Sequence, residues 1–218
     1  MRYYDYITSD LHFFHKNIII YCGRPYERNE VARMNEDLLS EFDKLPDGSS
    51  ILYLGDFVLS SGRSFDDVKG LVDRIKKGNK TISIILGNHD RELGRYLRGN
   101  YQKMDVRDIF RSFGFDEVID RPMELNGVLF SHEPCFVSNM INVHGHTHDT
   151  DVDETYFNRA CENWAMMEVV KAHPELTKQK IDIDTSVKDD KYTINPANYI
   201  NVCWDKWHRI PTLAEVLK

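Results

Sequence analysis

The stretch Thr81-Ile82-Ser83-Ile84-Ile85-Leu86, followed directly by Gly87-Asn88-His89-Asp90, decides the fold of this chain. Six β-favouring and mostly apolar residues predict a buried strand, and the glycine lets the backbone turn sharply at its end. Three side chains that can bind a metal ion or move a proton then follow without a gap. Sites in open α/β sheets form just beyond the carboxyl ends of strands. Although Gly-Asn-His-Asp also suits an ordinary turn, its position predicts an α/β fold with a functional site at this edge.

The same order, a predicted strand followed by polar side chains, recurs four more times along the chain. The strands concerned are predicted at residues 3–8, 51–54, 128–130 and 140–143. Together with the first stretch, the strand ends deliver Asp10, His12, Asp56, Asn88, His89, Asp90, His132, His146 and His148. Any one of these histidines alone would more often be structural than a ligand. Five segments that each place such residues directly after a predicted strand are hard to explain by chance, so we interpret them as parts of one site.

This set of side chains is typical of a metal centre. Imidazole combined with carboxylate or amide ligands suits Mn²⁺, Fe, Zn²⁺, Ni²⁺ or Co²⁺ better than Ca²⁺, which prefers oxygen ligands alone. The ligands are too many for one ion but fit two. A pair of ions about 3.5–4 Å apart needs a bridging carboxylate, for which Asp56 is the natural candidate. We therefore predict two divalent transition-metal ions, with Mn²⁺ favoured; such a pair lowers the pKa of a shared water and clamps phosphate oxygens.

Composition sets bounds on the class of protein. A chain of 218 residues is long enough for one sizeable core, and we predict a single domain over residues 1–218, with the acid-rich residues 149–190 as an insertion or lid. The net charge of −7 argues against a general nucleic-acid binder. No window approaches the ~20 apolar residues of a membrane helix, and the first residues do not open a signal peptide. The four cysteines are spread without CxxC pairing, which predicts a cytoplasmic protein with reduced thiols and no membrane partner.

Five motifs follow one another in order between residues 10 and 148: Asp10-x-His12, Gly55-Asp56, Gly87-Asn88-His89-Asp90, the lone His132 and Gly145-His146-x-His148. In this order they resemble the motifs of the calcineurin-like metallophosphoesterase superfamily. The resemblance implies an α/β fold, a four-layer αββα sandwich with two mixed β-sheets and the site at the carboxyl ends of strands. The two ends of the chain are similar to those of a small bacterial and phage phosphoesterase subgroup.

The resemblance also implies how the ligands are shared. One ion would be held by Asp10, His12, Asp56 and His148, and the other by Asp56, Asn88, His132 and His146. His89, braced by Asp90, would be the catalytic group that contacts the substrate and protonates or stabilises the leaving oxygen. The residues expected to bind substrate are Asn88, His89, Arg91 and His15. His15 is explained equally well as the start of a helix.

The implied activity is metal-dependent hydrolysis of a phosphoester by attack of a metal-activated hydroxide. The residues leave open whether the substrate is a monoester or a diester, and we slightly favour a small phosphodiester, nucleotide-like in class. Two alternatives use the same fold: a nuclease subunit, supported by the basic residues 91–111, and a non-catalytic interaction scaffold. The acidic balance makes nucleic acid an unfavoured partner, and the assembly is left open between a monomer and a homodimer.

Overall fold

The computed structural model describes residues 4–59, 64–98, 104–157 and 194–218. Its described strands form two four-stranded sheets. The first sheet contains, in spatial order, β1 (Tyr6–Thr8), β2 (Ser50–Tyr53), β3 (Thr81–Ile85) and β4 (Glu117–Ile119). The second sheet contains β5 (Met123–Leu125), β6 (Val128–Ser131), β7 (Ile141–His144) and β8 (Tyr199–Asn201). The stretch that decides the fold is therefore a strand inside the first sheet, as predicted.

The direction of the strands decides where their ends lie. The four strands β1 to β4 pair in parallel throughout. In the second sheet β6, β7 and β8 are parallel, and β5 joins β6 in antiparallel fashion. The turn between these two is a hairpin turn at Asn126-Gly127, a dipeptide that predicts one from sequence. Both residues have positive φ, 53° and 78°, as a type I′ turn requires. The predicted mixed character thus belongs to the second sheet, whereas within the described ranges the first has only an isolated antiparallel bridge, Tyr6–Thr212.

The helices pack around these sheets. Those with described bounds are α1 (Ile18–Tyr21), α2 (Val31–Asp43), α3 (Phe65–Ile75), α4 (Asn88–Arg98), α5 (Val106–Phe113), α6 (Trp204–Trp207) and α7 (Leu213–Val216), and a 3₁₀ turn at Pro196–Asn198 precedes β8. Helix α3 begins after Ser64. The Ser64 hydroxyl accepts the backbone N–H of Asp67, and the Asp67 carboxylate accepts the backbone N–H of Ser64, a reciprocal cap for a helix start. None of the helices in the described ranges is long and apolar enough to cross a bilayer. The sequence also predicts a helix at residues 164–171, which lie outside the described residues.

Alternating side chains of the first sheet fill two separate apolar cores. Ile51 and Tyr53 of β2 face the helices, in the same core as Phe42 of α2 and Phe110 of α5. Leu52, which lies between them in sequence, points the other way into a core shared with the second sheet. This period of two places helices on one face of the first sheet and the second sheet on its other face.

The outer face of the second sheet is also covered. Ile200 of β8 packs into the core between the sheets, so its neighbour Tyr199 faces outward. There Tyr199 packs against Val152, Phe157 and Ile194. The two sheets therefore lie face to face inside a layered sandwich, which confirms the fold class that the resemblance implies.

The two sheets share one edge, and most of their strands end there. A parallel bridge joins Ser9, just past β1, to Cys203, two residues past β8. The carbonyl of Leu54, just past β2, lies 2.7 Å from Nδ1 of His132, just past β6. The strands β1 to β3 are parallel to one another, and so are β6 and β7. The carboxyl ends of these five strands therefore all lie at this edge. This is the edge at which the sequence predicts the site.

Candidate metal centre

Close backbone approach builds the floor of the site. A Cβ placed on Gly87 would lie 2.2 Å from Oδ1 of Asp56 and 2.9 Å from Cε1 of His132. Gly55 has a φ of 93° and is packed as tightly, since a Cβ there would lie 2.5 Å from the backbone nitrogen of Gly87. Only glycine, which has no Cβ, lets the ends of β2 and β3 come this close.

The ligand loops adopt a backbone conformation that most residues avoid. Asp10, His12, Asp56, His146 and His148 all have positive φ, between 53° and 69°. This left-handed region costs a residue with a Cβ about 1–2 kcal/mol, and such residues concentrate at functional sites. The packed edge of the two sheets therefore holds these five side chains in place against a backbone preference.

Asp10 and His12 form the first half of the centre. Oδ2 of Asp10 accepts hydrogen bonds from the Ser9 hydroxyl at 2.5 Å and from the backbone N–H of His146 at 2.8 Å. Its Oδ1 is buried, and so are both ring nitrogens of His12; none of the three has a hydrogen-bond partner among the described residues. Nε2 of His12 lies 3.7 Å from Oδ1 of Asp10. A ring nitrogen of His148 completes this group, within 4.8 Å of the other ligand atoms.

His132, Asn88 and His146 form the second half of the centre. Nδ1–H of His132 donates to the Leu54 carbonyl at 2.7 Å, which leaves the lone pair of the ring on Nε2. This nitrogen lies 3.0 Å from Oδ1 of Asn88 and 3.2 Å from Nδ1 of His146. One oxygen and two ring nitrogens thus converge on a single point, as the ligands of a cation do.

Asp56 lies between the two halves. Its Oδ2 is 3.6 Å from Nε2 of His12, and its Oδ1 is 3.5 Å from Nε2 of His132. Oδ1 also accepts a hydrogen bond from the backbone N–H of His89 at 2.9 Å. Because the two carboxylate oxygens face different halves, Asp56 has the position that a bridging ligand needs. Among the described residues, ligand atoms within 4.8 Å of one another form four groups: Asp10–His12–His148, His12–Asp56–His89, Asp56–His132–His146 and Cys22–His148–Asp205.

The buried carboxylates set the electrostatics of the centre. Burial, together with the charges on Asp10 and Asp90, raises the pKa of Asp56 to about 9, and burial raises that of Asp90 to about 6. Burial alone would also raise the pKa of Asp10, but contact with His12 and the charges of the surrounding histidines hold it below its usual range. Burial lowers the pKa of His12 to about 4, so this ring is neutral at pH 7 and able to bind a metal ion.

These observations fit two divalent cations. The buried Oδ1 of Asp10 and the ring nitrogens of His12 offer electron pairs that no described donor uses. Cations would also offset the repulsion among the clustered carboxylates. Nitrogen from imidazole combined with oxygen from carboxylate and amide suits first-row transition metals. The structure thus brings all seven predicted metal ligands together at the shared edge of the two sheets.

Asp90 has partners other than the predicted one. Its Oδ2 accepts hydrogen bonds from the backbone N–H groups of Asp56 at 2.8 Å and Gly87 at 2.9 Å, and its Oδ1 accepts one from Phe57 at 2.9 Å. Both oxygens therefore tie the turn after β2 to the turn after β3. The expected bracing of the His89 ring by Asp90 is corrected accordingly, because the carboxylate points beneath the turn toward these backbone groups.

His89 lies on the first turn of α4, facing the centre. Its ring centroid is 5.1 Å from that of His12, and its Nε2 is 4.0 Å from Oδ2 of Asp56. The carboxylate beside its Nδ1 is Glu92, at 3.7 Å. Burial lowers the pKa of His89, and the charge on Glu92 opposes this effect. The side chain of His89 is 27% exposed, whereas that of His12 is 2% exposed, so a substrate can reach the His89 ring.

The two remaining predicted substrate contacts differ in position. The ring of His15 lies 5.4 Å from that of His12, and it lines a cleft of about 470 Å³ that opens over the ligands. Arg91 is not among the described residues that line this cleft. Its guanidinium donates to the carbonyl of Asp120 at 3.2 Å, and it borders a separate cavity of about 210 Å³ beside His132.

Sequence reasoning missed a layer of residues behind the ligands. The thiol of Cys203 lies 3.2 Å from the Asp10 carboxylate. Asp205 lies 2.7 Å from the ring of His148 and is itself bound by Arg24. The available signal was the sequence Asn-Val-Cys-Trp-Asp at residues 201–205, which the resemblance to the phosphoesterase subgroup includes. That signal marks the segment but gives its side chains no role.

The two packed sheets carry, at their shared edge, a cluster of carboxylates and imidazoles that could hold metal ions. The sequence profile described as Calcineurin-like phosphoesterase matches residues 6–193. The chain belongs to this family, whose membership implies metal-dependent hydrolysis of phosphoesters.

Individual relatives and solved structures are similar to parts or all of the chain. An uncharacterized protein of Methanocaldococcus jannaschii, MJ1445, is 30% identical over 159 residues, which are 70% of this chain and 73% of that protein. A protein of unknown function from Aquifex aeolicus, AQ665, gives a TM-score of 0.49 at 18% identity, covering 97% of this chain and 96% of that one. The nuclease MPE of Pseudomonas putida gives a TM-score of 0.43 at 23% identity, covering 65% of this chain and 60% of the nuclease.

Proposed function

We propose that this protein is a dinuclear-metal phosphoesterase that hydrolyses small phosphoesters, with phosphodiesters slightly preferred over phosphomonoesters. The observation that carries the proposal is the position of Asp56, whose two oxygens lie 3.6 Å and 3.5 Å from histidines of separate ligand groups. Two ions held there would polarise the phosphate oxygens and supply hydroxide at neutral pH. Mn²⁺ is the ion we favour, and Fe, Zn²⁺, Ni²⁺ and Co²⁺ are alternatives that the same ligands accept.

Among the residues that the structure describes, His89 is best placed to protonate the leaving group. Its ring is exposed to the cleft while the ligand His12 is buried. A positioned histidine can donate a proton to the leaving oxygen of an ester. Glu92, 3.7 Å from Nδ1, favours the protonated form of this ring. His15 lies at the rim of the same cleft, where it can contact the ester group as it enters.

The surroundings of the centre support a substrate with a group on each side of phosphorus. Besides the ligands, the cleft is lined by Ile18 and Tyr21 of α1 and by Thr147 and Thr150 after β7. A phosphodiester has two ester groups, and the apolar and polar walls offer each of them different surroundings. A phosphomonoester has one ester group and would use one wall. A volume of about 470 Å³ falls in the range of about 300–1,000 Å³ that small-molecule sites occupy, which fits a nucleotide-like ester.

Two chromogenic esters test the proposal directly. Protein stripped with a chelator is given Mn²⁺, Zn²⁺, Ni²⁺ or Co²⁺ singly and assayed on bis-p-nitrophenyl phosphate and p-nitrophenyl phosphate. We expect metal-dependent release, faster from the diester; the reverse ratio would make the protein a phosphomonoesterase. Asp56→Asn should lose both metal and turnover, because it removes the bridging charge. Asp73→Asn, at an exposed ion pair with Lys69, is the matched control and should behave as the unaltered protein.

The two alternatives make different predictions. The basic stretch that would support a nuclease subunit is partly neutralised, because Arg107 and Arg111 pair with Asp105 and Asp108 at 2.9 Å and 2.7 Å. Binding of oligonucleotides that weakens steeply with salt would nevertheless favour the nuclease. Two tightly bound ions with no turnover of any phosphoester would favour the interaction scaffold.

A further inference from the structure

A buried ion pair lies directly behind the first half of the metal centre. Asp205 of α6 places its Oδ2 2.7 Å from Nδ1 of His148, and its side chain is only 3% exposed. Arg24 donates to both oxygens of this carboxylate, from Nε at 2.7 Å and from Nη2 at 3.0 Å. The pair joins two parts of the chain that are 181 residues apart in sequence, and it does so against the back of a predicted metal ligand.

Arg24 also fixes the loop that carries the other ligands of this half. Its Nη1 donates to the carbonyl of Leu11 at 2.7 Å, and its Nη2 donates to the carbonyl of Asp10 at 2.8 Å. From the same C-terminal segment as Asp205, the thiol of Cys203 lies 3.2 Å from the Asp10 carboxylate. The pair and its neighbours therefore touch Asp10 and His148 together, two ligands of one proposed ion.

This arrangement decides which nitrogen of His148 carries the proton. A carboxylate bound through both oxygens by a guanidinium is ionised and can only accept hydrogen bonds. The 2.7 Å contact therefore requires an N–H on Nδ1 of His148. A neutral ring protonated on Nδ1 keeps its lone pair on Nε2, and that is the atom left for a metal ion.

We propose that Asp205, held by Arg24, is a positioning residue that locks His148 in its Nδ1–H form and presents Nε2 to the first ion. The inference rests on the proposed function only in taking His148 as a metal ligand. Asp205 lies beyond residues 6–193, which match the family profile, so its role is assigned from the structure of this chain. Metal-bound histidines commonly donate their second nitrogen to a carboxylate, and loss of that partner weakens metal binding about 10–100-fold.

A purely structural role for the pair has a different signature. If Arg24 and Asp205 only anchored α6, their loss would destabilise the fold but leave the metal affinity of the folded protein unchanged. If Asp205 positions His148, the affinity for one ion falls and the affinity for the other is kept. The second ion would be kept because none of its ligands His132, His146 and Asn88 has a side chain bonded to the pair.

Asp205→Asn separates these two roles. An amide has one acceptor oxygen and no charge, so it cannot accept all three of the hydrogen bonds that Asp205 accepts from Arg24 and His148, and it lacks the negative charge that strengthens the contact with the His148 N–H. Chelator-stripped protein is titrated with Mn²⁺ in competition with a chelating dye. One of the two sites should weaken about 10–100-fold, while circular dichroism shows a folded chain and Asp73→Asn binds both ions normally. A folded Asp205→Asn that binds two ions with unaltered affinity would overturn the proposal.

A measurement on the unaltered protein covers the case in which Asp205→Asn does not fold. In Zn²⁺-loaded protein, long-range ¹H–¹⁵N spectra should show a protonated Nδ1 and a metal-bound Nε2 on His148, assigned by their absence from His148→Gln. A zinc-bound or unprotonated Nδ1 overturns the proposal, and so does failure to bind any metal. Neither readout depends on turnover, so an inactive protein with an intact Nδ1–H would reject the proposed function and leave this inference standing.

Discussion

Replacing Gly87 with alanine should weaken metal binding without replacing any of the predicted ligands. The added Cβ would lie 2.2 Å from Oδ1 of Asp56 and 2.5 Å from its backbone nitrogen. Ordinary van der Waals contact begins at 3.4 Å, so the carboxylate has to move by about 1.2 Å, the difference between 3.4 Å and 2.2 Å. Because Asp56 lies between the two ligand groups, this displacement disturbs both of them.

The size of the effect follows from that displacement. A misplacement of about 1 Å at a catalytic centre lowers the rate about 10²-fold. We therefore expect kcat/KM of Gly87→Ala on bis-p-nitrophenyl phosphate to fall by about 100-fold or more, and the dialysed protein to contain fewer than two metal ions by elemental mass spectrometry. Gly87 is not among the glycines with positive φ, so alanine meets no backbone penalty there and the change reports on packing against Asp56.

Gly70→Ala is the matched control. Gly70 lies in α3, and a Cβ there would meet nothing within 4 Å. Since alanine is the better helix former, this variant should gain up to about 1 kcal/mol of unfolding free energy and keep its metal content and turnover. If folded Gly87→Ala keeps two ions and full turnover as well, close approach of the ends of β2 and β3 does not shape the centre, and the reasoning is refuted.

Three further perturbations test other parts of the structure. His89→Ala should keep both ions but lower kcat about 10²–10⁴-fold, because a general acid is lost; unchanged turnover would remove His89 from the mechanism. Asp90→Ala leaves three buried backbone N–H groups without their acceptor, so urea denaturation should show about 3 kcal/mol or more of lost unfolding free energy, and an unchanged transition would contradict these partners. In the metal-free protein, burial and the charges of Asp10 and Asp90 raise the pKa of Asp56 from 3.8 to about 9. The proton on Asp56 therefore stabilises the folded state fully below pH 3.8, and this stabilisation is lost as the pH rises toward 9. The melting temperature of chelator-treated protein should therefore fall between about pH 7.5 and 9, where the histidines of lowered pKa no longer titrate. Burial lowers the pKa of His148, but contact with Asp205 and Cys22 raises it to about 10, so this ring adds to the decline in the same direction. Metal-saturated protein should lack this decline, since cations replace the proton, and an equal decline in both forms would argue against the buried proton.

Short apolar runs were enough to predict the strands and the site residues that follow them, whereas the two-sheet sandwich was implied by the family resemblance. The strand predicted at residues 81–86 is observed at Thr81–Ile85, and the hairpin at Asn126-Gly127 forms as its turn chemistry requires. Ligands far apart in sequence could be grouped because parallel strands place their carboxyl ends at one edge, whatever the length of chain between them. In this fold, side chains lie close together when they follow parallel strands. A short apolar run followed directly by polar residues is enough to mark such a strand end in the sequence.

Roles that depend on the direction of a side chain could not be predicted in this way. His89, Asp90 and Arg91 are adjacent in sequence, but all three lie in α4, where successive side chains point about 100° apart. His89 therefore faces the cleft, Asp90 turns beneath it to backbone N–H groups, and Arg91 turns away to the carbonyl of Asp120. No periodic pattern links Asp205 to His148 either, since they are 57 residues apart and meet through the tertiary fold.

Five of the predicted metal ligands have left-handed backbone, so thermal stability and metal binding are expected to favour different residues at these positions. Glycine adopts this conformation without the steric penalty of about 1–2 kcal/mol that a Cβ brings. A library of this protein screened only for survival of heating in a chelator should therefore enrich glycine at positions such as Asp10 and His148. The most heat-resistant variants in this library would be those that had lost the predicted metal ligands. The carboxylates and imidazoles at these positions persist only where the screen also demands the ions that they hold.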